Sequence, residues 1–360
     1  MINKKERFIG LDILRLIAMM SIFGRHSYAN LGCSYGVFTD YILSGGAIGV
    51  LIYFILSGFT LYLNYSDREL LQFKEIKPFY IKRFISIVPA YYATAIIYVL
   101  FLGKETVIDN LFLAPIEMLG LQTVYTSLFT VTHNGGTWFI SCIIICYFVY
   151  PLLQEIIKNI KLKTKIVFMF ICWFIILLSP CIIARFGVAN TYDDPFFRLL
   201  DFTLGMLLAS IIKEVKIPEI LTGWPAFIIE SVLLFIVFPK VLKRIPPVTL
   251  LADSLVWIPL FLIMLVTLSG LKSKLSDSKI IRYLSAISYG FFLAQILKPW
   301  DITMRIINLI GIDSNKIRIV ISFAVITVIG ILLHEFVEKP SKKILTKLLL
   351  KDARSPGAAS

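Results

Sequence analysis

Apolar runs of about 17–25 residues recur from one end of this 360-residue chain to the other, separated by short charged loops. Each run is long enough to cross a hydrocarbon core of about 30 Å as an α-helix. The composition agrees, with 58% of residues hydrophobic and 16% charged, outside the range of ordinary soluble domains. The expected fold class is therefore all-α, a polytopic integral membrane protein of about ten transmembrane helices. They are read at residues 8–28, 45–65, 84–103, 138–157, 166–184, 196–212, 224–238, 248–270, 281–299 and 317–337, with the weakest signal at 224–238. The short loops leave no room for a second folded body, so residues 1–350 form one transmembrane domain and 351–360 a short flexible tail.

Basic residues set the orientation. Lys4, Lys5 and Arg7 precede the first run, and Lys339, Lys342, Lys343, Lys347, Lys351 and Arg354 follow the last, so both termini are expected on the cytoplasmic side. Lys240, Lys243 and Arg244 are the exception, a basic loop on the expected outer side. The formal charge of +13 follows from the cytoplasmic loops and calls for no nucleic-acid partner, while membrane lipids are partners by necessity. The first run is too long and too charged for a cleaved signal peptide and is expected to remain as a helix. Cys33, Cys142, Cys146, Cys172 and Cys181 lack paired metal spacing and read as packing residues, and no histidine or cysteine cluster points to a metal.

Within the first run stand an arginine and a histidine, Arg15 and His26. Eleven helical residues turn through about 1100°, which returns the two side chains to nearly one face about 16.5 Å apart along the axis. Ionisable groups inside a membrane segment are costly, and the default reading is a functional site facing a polar cavity. A structural reading stands beside it: Asp12, three residues before Arg15, is placed to form an internal ion pair, His26 to anchor at the interface, and Arg25 to snorkel outward.

These residues carry a resemblance. Gly10-Leu11-Asp12-Ile13-Leu14-Arg15 and the apolar run to His26 resemble the opening signature of the acyltransferase type 3 family of integral membrane proteins. Gly49-Val50 with Phe54-Ile55-Leu56-Ser57-Gly58-Phe59 is similar to that family's second span, and Lys82-Arg83-Phe84-Ile85-Ser86-Ile87-Val88-Pro89 to the basic entry of its third. Gly136-Thr137-Trp138-Phe139-Ile140, running to Tyr147 and Pro151, resembles the fourth span, Ser288-Tyr289-Gly290-Phe291-Phe292-Leu293 the ninth, and Glu338-Lys339-Pro340 the closing acidic motif. The match covers essentially the whole chain. Three positions depart: Ser86 stands where many members have a second arginine, Gln295 where many have a histidine, and Leu51 where an acidic residue often follows Gly-Val. Arg83 is thus left alone or with Lys82, and Gln295 hydrogen-bonds without titrating.

The resemblance implies an O-acyltransferase of the bacterial cell (inner) membrane that moves an acyl group, usually acetyl, from acetyl-CoA to a hydroxyl of an extracytoplasmic or lipid-linked glycan. Acyl-CoA is cytoplasmic and cannot cross a bilayer, so such a reaction must bridge the membrane. Arg15, with Arg83 and Lys82, is the expected holder of the donor's phosphates and pantetheine arm. Imidazoles titrate near neutrality, and His26 is the expected general base, with an acyl-histidine intermediate as the other route. Trp138, Tyr289, Ser57 and Gln295 are candidate oxyanion donors, and Asp12 and Glu338 further polar candidates.

Several of these residues also have plainer readings. Trp138 fits an aromatic belt, His133 a solvated loop, His334 and Glu335 capping or packing, and Glu338 a structural role. A transporter or flippase of a polysaccharide precursor is the alternative function, and it predicts broken helices or repeat-related halves. No esterase-like domain accompanies the chain, so transfer to the final glycan is expected to be completed by this domain.

Overall fold

The computed structural model describes residues 8–44, 48–103, 106–124, 135–186, 192–233, 253–270 and 278–350. Among them every regular element is a helix. The Lys240 loop, His133 and the tail beyond residue 350 lie outside the described residues. The chain divides into two compact units. The first comprises Met1–Ser66, Ile156–Tyr192 and Phe196–Ala286, and the second Asp67–Glu155, Asp193–Pro195 and Ile287–Ser360.

The first unit is built on α1 (Ile9–Leu31), whose stripe Leu11, Leu14, Ala18 and Ile22 is buried. A spacing of three and four residues puts these side chains on one face. That face packs against α3 (Ile48–Tyr65) and α11 (Ile258–Ser269), and the short α2 (Val37–Ser44) also packs against α1. Gly32 ends α1 in the left-handed region, φ 62°, and donates its N–H to the Ser27 and Tyr28 carbonyls. A side chain there would be strained, so glycine is the residue that closes this helix.

Helix α3 meets α9 (Pro195–Glu214) at closer quarters. A Cβ on Gly58 would stand 1.9 Å from the Phe202 carbonyl oxygen, and one on Gly205 would stand 1.9 Å from that of Ile55. Two backbones approach this closely only where both lack side chains, a device that suits helices with no hydrophobic force between them in lipid. It gives the Ser57-Gly58-Phe59 motif a packing role. The remaining helices of this unit are α7 (Leu162–Leu177), α8 (Ser179–Phe186), α10 (Trp224–Val232) and the first part of α12 (Lys279–Ala294).

The second unit contains α4 (Phe73–Ile97), α5 (Val107–Met118), α6 (Trp138–Asn159), α13 (Pro299–Ile310), α14 (Asn315–Leu333) and α15 (Lys339–Leu349). Thr106 caps α5, its hydroxyl accepting from the Asp109 N–H while the Asp109 carboxylate accepts from the Thr106 N–H. A π-helical turn, His334–Glu338, joins α14 to α15 without a break, so one helix runs from Asn315 to Leu349.

Among the described residues five helices are long and apolar enough to cross a membrane: Ile48–Tyr65, Phe73–Leu102, Trp138–Asn159, Pro195–Glu214 and Asn315–Leu349. The pair α12 and α13, bent by 87°, makes a sixth if counted as one span. The difference from ten runs has local causes. Helix α1, at 23 residues, is long enough but carries Asp12, Arg15 and Arg25. The run at 166–184 is split at Leu178, ahead of Pro180, which lacks the N–H a continuing helix needs. The helix within 224–238 is described only as Trp224–Val232. Helix α4 begins at Phe73, not at residue 84, which moves Lys82 and Arg83 from a helix entry to mid-helix, about 15 Å from its start.

Candidate functional site

In the first unit the cytoplasm-facing candidate is a closed polar triad. Arg15 Nη1 donates to Asp12 Oδ1 at 3.1 Å and to Ser285 Oγ at 2.8 Å, and Ser285 donates its own proton to Asp12 Oδ1 at 2.6 Å. The predicted Asp12–Arg15 pair is thus present, with a third member from α12. Asp12 is buried, whereas the Arg15 side chain keeps 30% of its surface exposed. One nitrogen of the guanidinium holds its place and the rest of the fork stays available for an anion. Tyr53 on α3 donates to the Arg15 carbonyl at 3.3 Å.

His26 is half-buried on the same continuous helix, so the inferred axial separation of about 16.5 Å from Arg15 holds. Its helical turn is fixed from several sides. Asn30 Nδ2 donates to the His26 carbonyl at 2.8 Å, and the Cys33 N–H to the Ser27 carbonyl at 3.3 Å. Ser27 donates its hydroxyl proton to the Gly24 carbonyl at 3.0 Å, so in the 2.6 Å contact between Ser27 and Tyr35 the phenol is the donor. Burial, outweighing the Ser27 hydrogen bond, pushes the Tyr35 phenol above its ordinary range and keeps it protonated at neutral pH. Asp40 then pins the loop, accepting from the Tyr35 N–H at 2.7 Å and from the Ser34 hydroxyl at 2.5 Å.

The register of α3 separates Ser57 from His26. Tyr53 lies level with Arg15, and a Cβ on Gly49 would stand 2.3 Å from the Ala18 carbonyl, so the two helices run antiparallel. Ser57, one turn beyond Tyr53, sits at the Asp12 end, about 20 Å along the axis from His26. It is placed with the triad and not with the imidazole.

Sequence reasoning passed over a second charged pair in this unit. Arg198 Nη1 stands 3.0 Å from Asp201 Oδ2 on α9, with the arginine carbon 5.9 Å from the centre of the Phe54 ring. Asp201 is fully buried, and neither of its oxygens has a directed hydrogen bond, so Arg198 supplies charge without alignment. The signal was the one that singled out Asp12 and Arg15: opposite charges three apart inside an apolar run.

In the second unit four of the motifs converge. Arg83 on α4 lies between two rings, 5.7 Å from the centre of Tyr147 and 6.0 Å from that of Phe79. Ser86, where relatives often have another arginine, turns its hydroxyl back to the Arg83 carbonyl at 2.8 Å. Tyr289 is buried within electrostatic reach of Glu338, Tyr91 and Tyr147, and donates its hydroxyl proton to the Ile87 carbonyl at 2.9 Å. That proton is committed to the backbone in this arrangement, which counts against Tyr289 as an oxyanion donor.

Glu338 and His334 lie on the π-helical turn, His334 Nδ1 meeting Glu338 Oε2 at 2.8 Å. The other carboxylate oxygen of Glu338 is buried 3.1 Å from where a Gly290 side chain would begin, so the Ser-Tyr-Gly and Glu-Lys-Pro motifs meet. Trp138 is only 6% exposed and packs edge-on to Phe139, an interior position and not a membrane belt. Gln295 is buried with its amide turned to the Phe291 carbonyl at 3.4 Å. Lys82 is half-buried. Of the cysteines, Cys33, Cys142, Cys146 and Cys172 are buried as packing residues and Cys181 is exposed. No group of three or more metal-ligating side chains occurs among the described residues.

Comparison with known proteins follows the same lines. Residues 8–335 match the family described as an acyltransferase domain. The chain is 24% identical over 369 aligned residues to the peptidoglycan O-acetyltransferase OatA of Listeria monocytogenes, an alignment covering 92% of this chain and 55% of that protein. The chain therefore spans about half the length of the curated relative it matches. No solved structure matches it.

Proposed function

The chain belongs to the acyltransferase family matched over residues 8–335, and on that premise we propose that it is a membrane-embedded O-acetyltransferase drawing on cytoplasmic acetyl-CoA. The acceptor is a hydroxyl of an extracytoplasmic or lipid-linked glycan, a class consistent with the peptidoglycan named for its relative. The reading includes ten spans with both termini in the cytoplasm of a bacterial cell, residues 1–350 acting as one catalytic domain.

The observation that carries it is a single uninterrupted helix bearing a partly exposed, pre-oriented guanidinium near one end and an imidazole near the other. Arg15, held by Asp12 and Ser285, grips the phosphate or pantetheine groups of the donor, with Ser57 beside it. Lys82 and Arg83, the latter steadied by its two rings, are assigned to the nucleotide phosphates. His26 takes the proton from the acceptor hydroxyl as its oxygen attacks the thioester carbonyl. Collapse of the tetrahedral intermediate breaks the C–S bond, and the imidazolium returns the proton to the thiolate, leaving the ester and free CoA. Trp138 and Gln295 are the proposed polar contacts for the acceptor or oxyanion, and Glu338 a positioning residue.

The test uses purified protein, acetyl-CoA labelled in the acetyl group, and the glycan acceptor. Transfer is expected in the wild type, with a loss of roughly 100-fold or more in His26→Ala at unchanged thermal stability. Undiminished transfer in that variant would remove His26 from the chemistry. The 87° break between α12 and α13 is the one feature favouring a transporter, since broken helices line substrate paths in such proteins. Movement of an unmodified glycan precursor without acyl chemistry would support that second reading.

A further inference from the structure

Helices α13 and α14 form a hairpin in the second unit with an open groove of about 440 Å³ between them. Its lining is wholly aliphatic, from Ile302 and Ile306 on α13 and from Val320, Ala324 and Val328, among others, on α14. The α14 residues follow a four-residue spacing and so form one stripe. From Val320 to Ile329 the groove is about 13.5 Å long, close to half of an about 30 Å hydrocarbon core and therefore to one leaflet. Lys316 continues the same stripe one turn before Val320, at the start of the membrane-length helix. It is exposed and has no acidic partner among the described residues. Arg305, exposed beside Ile306, also lacks an ion pair among them, with Asp301 one turn before it, while Asp313 at the hairpin tip is already taken by Arg318.

We propose that this groove seats one acyl chain of a phosphate-headgroup membrane lipid, with Lys316 and Arg305 meeting the headgroup. The page offers both halves of such a ligand's complement. An aliphatic slot of leaflet length faces the bilayer, and an unclaimed ammonium stands where a headgroup phosphate would lie. Water would fill such a slot at a cost, whereas a lipid tail fills it at none. The site is independent of the acyl-transfer reading, since none of its residues belongs to the proposed catalytic machinery.

The experiment reconstitutes the full chain in nanodiscs containing either phosphatidylglycerol or phosphatidylcholine with a diazirine on the acyl chain, then maps adducts by mass spectrometry. Adducts are expected on α13 and α14 facing the groove, at least several-fold more abundant with phosphatidylglycerol. Ala324→Trp, and independently Val328→Trp should the first fail to fold, should reduce them to background. Lys316→Gln should abolish the preference for the anionic lipid while leaving chain labelling in place. Equal labelling by both lipids, labelling indifferent to the tryptophans, or cross-links showing a second copy of the chain seated in the groove would each overturn the proposal.

Discussion

Ser285 donates its hydroxyl proton to Asp12 across 2.6 Å, tying the first membrane helix to α12 through a contact 273 residues apart in sequence. The same oxygen accepts from Arg15, so one hydroxyl completes both partners. Ser285→Ala is expected to leave the fold intact and to cost about 1–3 kcal/mol in Arg15 positioning, which converts to roughly 5–150-fold. The loss should appear in the acetyl-CoA KM more than in kcat. A variant with an unchanged donor KM would mean that the triad is structural only.

The Arg198–Asp201 pair makes a different prediction, because both charges are removed from solvent. Removing the cation alone, as in Arg198→Gln, strands a buried carboxylate and should destabilise the first unit by about 3–5 kcal/mol. Arg198→Gln with Asp201→Asn should recover much of that. Thermal unfolding in detergent measures both. A double variant no more stable than the single one would show that the pair holds something besides itself.

Gly58 faces the Phe202 carbonyl with no space for a methyl group. Gly58→Val should therefore part α3 from α9 and abolish the folded, monodisperse protein in size-exclusion chromatography. Ser57→Ala, one position away with an ordinary side chain, should not. Equal behaviour of the two would contradict the close approach.

Asp313 gives the pH dependence. Its hydrogen bond with Arg318 holds the carboxyl below its ordinary value. A group with a depressed folded pKa contributes stability above its unfolded pKa and loses it as pH falls through the folded value. The hairpin between α13 and α14 should thus loosen in acid, seen as faster hydrogen exchange at residues 311–318 below about pH 4, after correction for intrinsic rates. Asp313→Asn should show the faster exchange at every pH.

Apolar runs made the helical class legible, since membrane-length hydrophobicity leaves a local signal. The Asp12–Arg15 pair was equally legible, because a spacing of three lies within one helical turn. Ser285 was not, since a serine in an apolar run looks like any other until folding sets it against a charge 270 residues away. Ser57 was assigned to a motif but not to an end of α1, because register between helices depends on contacts such as Gly49 on Ala18. Trp138 illustrates the limit of composition, which reads an aromatic near a span end as a belt residue when neighbours such as Phe139 in fact enclose it. The Arg198–Asp201 pair carried a readable signal that the motif match drew attention away from.

The π-helical turn at His334–Glu338 amounts to one surplus residue inside an otherwise regular helix. A chain shortened by one position there would relax into ordinary α-helix and swing everything after it by about 100°. Glu338 would then leave Gly290, and α15 would present a different side to α4. Residue count between positions 334 and 338 is thus itself a heritable constraint, one to which substitutions are blind and deletions are not.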